Sequence, residues 1–169
     1  MKRGVVAAGL FLVLGVVGWL VGAKERTLSA GRVVLLELAP VDPRSLMQGD
    51  YMRLAYRVAR EVEVTDWAPD GFVVLRVVDD VGTFARVDDG GALAADEVRM
   101  RYRVRQGDLR LGAESFFFEE GSARVFEDAR YGELRVAASG EAVLVGLRDG
   151  EKAPLRAGMV RERMATPVE

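Results

Sequence analysis

Gly49-Asp50-Tyr51-Met52-Arg53-Leu54-Ala55-Tyr56 follows directly on Ala39-Pro40-Val41-Asp42-Pro43-Arg44-Ser45-Leu46-Met47-Gln48. A stretch rich in Pro, Asp and Gly that runs into strict alternation marks the end of one β-element and the start of the next. Asp42-Pro43-Arg44-Ser45 suits a type I turn, with an acid first and proline second. The alternation predicts a strand from Asp50 to Val64. Its apolar face carries Met52, Leu54, Tyr56, Val58, Val62 and Val64, and its polar face Arg53, Arg57, Glu61 and Glu63. In such a strand Asp50, Leu54 and Tyr56 share a face and Tyr51 points the other way. Asp50 and Tyr56 then read either as a polar pair for a ligand or as structure. The structural reading is the stronger, because Gly-Asp at a strand start is a common turn signal: Asp50 caps the turn, Leu54 joins the core and Tyr56 buries its ring with its hydroxyl tied at the edge.

The octapeptide resembles the defining motif of the GDYXXLXY family, bacterial membrane-anchored proteins with no assigned chemistry. A second stretch, Glu114-Ser115-Phe116-Phe117-Phe118-Glu119-Glu120-Gly121, is similar to a Glu-x-aromatic-Phe segment of that family, which ends in an acid and a glycine before a short helix. The resemblance runs from Leu35 to Leu147 and singles out Gly49, Asp50, Tyr51, Leu54, Tyr56, Glu114 and Phe116. It implies a membrane-anchored envelope domain, in a family often found beside polytopic membrane proteins.

Independently of the resemblance, Gly4 to Ala23 (GVVAAGLFLVLGVVGWLVGA) carries no charge. At about 1.5 Å per residue such a helix reaches roughly the 30 Å of a bilayer core. Lys2 and Arg3 before it, and Val21-Gly22-Ala23 at its end, also fit a cleaved signal peptide, but the run exceeds the ~7–15 residues of a signal core. Trp19 stands where an interfacial aromatic belongs. The chain of 169 residues therefore reads as a flank (1–3), a membrane helix or signal anchor (4–23), a connector (24–31), a β-rich domain (32–152) and a loose tail (153–169). Flanking charges are nearly balanced. From Lys24 onward 22 basic residues face 26 acidic ones, a net of −4, which argues against nucleic acid or bulk attraction to anionic lipid. The domain is expected outside the cytoplasm, on a single-pass cell-membrane protein of undetermined oligomeric state.

Cysteine and histidine are absent. That excludes Cys/His zinc sites, Ser-His-Asp and Cys-His catalysis, His-ligated haem and thiol redox chemistry. No cofactor and no metal site are expected.

Further strands are predicted over 32–38, 72–78, 83–87, 97–105, 112–118, 133–138 and 142–147. One short helix is predicted over 122–130, with Ser122 as N-cap and Gly132 past its end. Asp88 to Asp96 reads as a mobile loop. The fold class is mainly β: an antiparallel barrel or sandwich with one short helix, preceded by a transmembrane helix. Gln48-Gly49-Asp50 and Gln106-Gly107-Asp108 echo each other, as a duplicated unit or a shared turn.

Four constellations invite a functional reading. The first is a pattern similar to that of signal peptidases, Ser-Met-x-Pro-x-Leu-x-x-Gly-Asp. Leu46 and Gly49-Asp50 match it, but the nucleophile position holds Val41 and the proline position Arg44. Beyond the membrane flanks the only lysine is Lys152, so a Ser45–Lys152 dyad is all that remains of that chemistry. The second is the row Arg99, Arg101, Arg103 and Arg105 on one strand face, a basic stripe for an anionic partner or a solvated face paired with acids, for which Glu61 and Glu63 are plausible neighbours. The third is the set of acidic pairs Asp79-Asp80, Asp88-Asp89, Asp96-Glu97 and Glu119-Glu120, which lack EF-hand spacing. The fourth is Phe116–Phe118, core by default and a contact surface if exposed. The leading expectation is a non-enzymatic accessory or interaction module working with a polytopic membrane protein. The runner-up is a ligand-binding or hydrolytic envelope enzyme with Asp50 and Glu114 as its acids.

Overall fold

The structure, a computed structural model, describes residues 2–39, 47–48, 51–112 and 114–156, with the side chains of residues 2–8, 23, 47 and 48 excluded. Gly49, Asp50, Val41 and Ser45 thus lie outside the described residues. The chain begins with helix α1 (Lys2–Ala30) and continues through β1 (Arg32–Glu37), β2 (Met47–Gln48), β3 (Tyr51–Arg53) and α2 (Arg57–Glu61). Next come β4 (Asp70–Val78), β5 (Val81–Val87), β6 (Glu97–Arg105), β7 (Asp108–Arg110) and β8 (Ser115–Phe117). The chain closes with α3 (Ala123–Phe126), β9 (Tyr131–Val136), β10 (Ala142–Arg148) and β11 (Pro154–Leu155).

The mainly β class holds, but the architecture differs from an antiparallel barrel or sandwich. Eight strands form one mixed sheet in the order β11-β10-β9-β1-β5-β4-β6-β7, and β2-β3-β8 form a second, three-stranded sheet. No barrel closes among the described residues. The mixed character comes from one parallel contact, β1 beside β5 at Leu35 and Val81. After β1 the chain detours through the small sheet and α2 before re-entering as β4. The hairpin partner of β4 must run antiparallel to it, which sets β5 parallel to β1. Bulges at Val74/Leu75 and at Leu144/Gly146 add twist. The sheet curls until the β9–β10 turn meets the free stretch of β6, where the Arg101 amide donates to the Gly140 carbonyl at 2.8 Å.

Two tight turns are chemically explicit. Asp79 and Asp80 (φ 49° and 66°) join β4 to β5, and Gln106 and Gly107 (φ 55° and 81°) join β6 to β7. Both central residues have positive φ in each turn, the geometry whose twist matches a hairpin.

Alternating strand residues build a single core: Val34 and Leu36, Val73, Leu75 and Val77, Met100 and Tyr102, Leu134 and Val136, with Met52, Leu54 and Tyr56 over them. Burying each large apolar side chain contributes about 1.5–3 kcal/mol.

Several local expectations are corrected. The connector 24–31 is helical through Ala30 and packs against the sheet at Gly31, where an added Cβ would lie 3.2 Å from Arg135 Cβ. The long strand 50–64 stops at Arg53, and after a lone bridge from Tyr56 to Leu38 the chain turns into α2. Arg57 and Glu61 lie one helical turn apart (3.9 Å), and so do Val58 and Val62; a four-residue spacing satisfies both periods, and burial of Val58 selects the helix. Ser122 sits at the N-cap position of α3, but its side chain makes no capping hydrogen bond. Gly132 is no helix stop; it lies within β9. The loop Asp88–Asp96 is pinned by Arg99 to Asp88, by Arg76 to Asp96 (3.4 Å), and by Glu97, which accepts the Ala94 amide (3.0 Å) and pairs with Arg86. Pro154–Leu155, placed in the loose tail, pair with β10.

Over the described side chains of α1, which begin at Gly9, no helix is long and apolar enough to cross a membrane.

Candidate functional site

The family-marked residues divide between the core and the surface. Leu54 and Tyr56 are buried on the even face, while Tyr51 is half-buried and lies 5.7 Å from the exposed Phe117 ring. Phe116 and Phe118 pack on Phe126 of α3 at 5.0 and 5.5 Å, which fixes the small sheet to the core. Alternation thus sends one of three consecutive aromatics outward.

Tyr56 lies against β9, where a Cβ added to Gly132 would come within 3.0 Å of its ring and 3.3 Å of its hydroxyl. Burial first, and then the Glu114 carboxylate, push this hydroxyl far above the ordinary tyrosine range. Glu114 binds the chain to itself: its Oε1 accepts the amides of Leu111 (2.7 Å) and Gly112 (2.9 Å), and its carbonyl accepts the Leu54 amide (2.9 Å). Tyr56 and Glu114 do converge; Asp50 lies outside the described residues. Glu114 organises the turn after β7, which suits a structural anchor more than a general acid free to meet substrate.

The arginine row has two fates. Arg99 meets Asp88 in a half-buried ion pair (2.6 Å), and Arg101 meets Glu141 (3.2 Å). Glu61 and Glu63 are not the partners; Glu61 pairs with Arg57. Arg103 meets no carboxylate among the described residues, and Arg105 donates only to the neighbouring Val104 carbonyl (3.0 Å). In the β6–β7 ladder Arg103 stands directly opposite Arg110, so two like charges share one face. Such pairs are destabilising unless an anion intervenes. Asp108, which meets Arg110 (3.3 Å), stands opposite Arg105 in the same ladder, and Asp70 of β4 stands opposite Arg103 on its other side.

These side chains line a groove of about 370 Å³ with Glu114, Glu141 and Lys24 of α1. Five cations face two carboxylates there, an excess of three positive charges. Glu141 serves both Arg101 and Lys24 (3.3 Å), and the hydrogen bond from Arg101, with that from Lys24, holds its carboxyl below the usual range. The groove can hold an oxyanion through planar guanidinium forks. The row alone pointed to it in sequence; Arg110 joins it across the β6–β7 hairpin, and Lys24 only because the fold brings the end of α1 to Glu141.

The remaining candidates are accounted for structurally. Lys152 donates its ammonium to the Asp79 carbonyl (2.9 Å), and Ser45 lies outside the described residues. The acidic pairs supply turns, loop caps and ion pairs, and no group of three or more potential metal ligands exists among the described residues.

No curated protein and no solved structure matches the chain. A family model does: it spans residues 13–147, taking in α1 from Val13, the small sheet and the large sheet through β10, and the chain belongs to the family it describes, GDYXXLXY protein.

Proposed function

We propose that the chain is a single-pass membrane protein whose domain acts outside the cytoplasm as a non-enzymatic accessory module for a polytopic membrane protein. The carrying observation is α1. Leu10 to Leu14 are all exposed, Phe11 at 75%, and Trp19 further along is 72% exposed, so the apolar surface runs round the whole helix. A helix apolar on every face belongs in a larger core or in lipid. Gly9–Gly22 alone spans about 21 Å, short of a bilayer core; Gly4 to Ala23, all within α1, brings the uncharged run to about 30 Å. The flanking charges are nearly balanced and favour neither side, so the extracytoplasmic placement comes from the family resemblance to envelope domains.

The partner class comes from the family resemblance, and the contact surface is the Tyr51–Phe117 pair. Phe117 is 73% exposed on a three-stranded sheet beside the signature segment. A large exposed ring beside a half-exposed one is the composition of an interface anchor. Structural use of Glu114 and Lys152 supports a non-catalytic reading. The test is purification of the full chain from membranes in mild detergent. A polytopic protein that co-purifies with the wild type and is lost with Phe117→Ala supports the module. Retention of that partner by the variant, or no partner at all, overturns it, and release of the chain by alkaline carbonate removes the anchor.

A further inference from the structure

We infer that the basic groove at the foot of α1 holds the phosphate of an anionic phospholipid, an inference that rests on α1 being the membrane anchor. Three observations converge. Arg103 and Arg105 form no ion pair among the described residues, although Asp70 and Asp108 stand opposite them in the ladders, and Arg110 is placed opposite Arg103 with the exposed Asp108 beside it. An oxyanion between Arg103 and Arg110 would turn a repulsive cross-strand pair into two charge-assisted hydrogen-bonded ones. Second, both carboxylates of the groove are engaged: Glu141 by Lys24 and Arg101, and Glu114 by the amides of Leu111 and Gly112. Neither is free to neutralise the excess. Third, Lys24 is the first residue after the uncharged run, so the groove opens at the level where a lipid phosphate sits. A soluble phosphate ester would need no such placement, which favours the lipid source. The net charge of −4 beyond the anchor does not oppose this, because the attraction is local to one groove and screened within about 8 Å at physiological salt.

The experiment titrates the full chain, in neutral detergent, with short-chain phosphatidylglycerol, phosphatidylcholine and glycerol 3-phosphate, and reads binding by native mass spectrometry. Phosphatidylglycerol should bind over phosphatidylcholine, and Arg103→Gln with Arg105→Gln should weaken it about tenfold or more. Glycerol 3-phosphate should bind far more weakly. Equal binding of phosphatidylcholine, equal binding of glycerol 3-phosphate, or an unchanged double variant overturns the inference. Should that variant misfold, Arg103→Lys with Arg105→Lys keeps the charge and loses the forks. It should weaken phosphatidylglycerol binding by a smaller factor, and no weakening overturns the inference. Carbonate extraction of the wild type reports on the anchor separately.

Discussion

The signature segment and the end of the arginine strand meet at Glu114 and behave as opposites. Met52, Leu54 and Tyr56 spend their alternation on the core, and the hydroxyl of Tyr56 is held protonated by burial and by the charge of Glu114. Arg103 and Arg105 spend theirs on a groove where positive charge exceeds its local partners. The first half of the same strand, Glu97 to Arg101, is bound into ion pairs with Arg86, Asp88 and Glu141. The contrast teaches that a buried motif records how the fold is held, whereas an uncompensated surface charge records what the fold meets.

The contrast can be broken most forcefully at its buried end. Tyr56→Ala should cost about 3–5 kcal/mol, measured by denaturant unfolding of the full chain in detergent, because a ring packed against Gly132 is replaced by a cavity. A loss below about 1 kcal/mol would refute a core role and return Tyr56 to the site candidates. Glu114→Ala, at the joint between the two regions, should cost about 1–3 kcal/mol by leaving the Leu111 and Gly112 amides without their acceptor. If stability holds while binding in the groove changes, Glu114 belongs to the site and not to the scaffold.

The paired half of β6 is tested by pH. The hydrogen bond from Arg86, followed by that from the Ala94 amide, holds the Glu97 carboxyl below its ordinary range. A depressed folded-state pKa contributes stability above the unfolded carboxylate value and loses it as pH falls through the folded one. Glu97→Gln should therefore be less stable than the wild type at pH 7, with the gap narrowing as the solution is acidified. A gap independent of pH would show that the pair does not stabilise the fold. The smallest effect is expected at the half without ion pairs: Arg103→Ala should change stability by no more than about 0.5 kcal/mol, because Arg103 faces the like charge of Arg110 on one side and the opposite charge of Asp70 on the other. A loss above 1.5 kcal/mol, on the order of a charged hydrogen bond, would mean that Arg103 has a partner in the fold.

Much of the fold was legible locally. The strand 97–105 and the hairpin across Asp79-Asp80 emerge where β-branched alternation and turn residues agree, and a single helical turn, Ala123–Phe126, lies within the longer helix predicted over 122–130. The strand through Arg57–Glu61 misled because a spacing of four residues fits both a face of a strand and a turn of helix, and contacts with Glu37 and the core decide between them. The expected barrel misled because parallel placement of β1 and β5 follows from the route of the chain between them, which no local pattern encodes. At the site, the arginine row was visible as a row, but its division into paired and unpaired members was not.

By itself, then, the sequence determined the alternation and turns, the apolar run at the start, the signature, and the absence of cysteine and histidine chemistry, because each is a property of neighbouring residues. The tertiary structure alone decided that Tyr56 lies over Gly132 and beside Glu114, that Glu141 neutralises Arg101 and not Arg103, and that Lys24 joins the groove. The physical reason is that burial and charge pairing depend on approach in space, and the residues that meet at the groove are up to 117 positions apart in the chain.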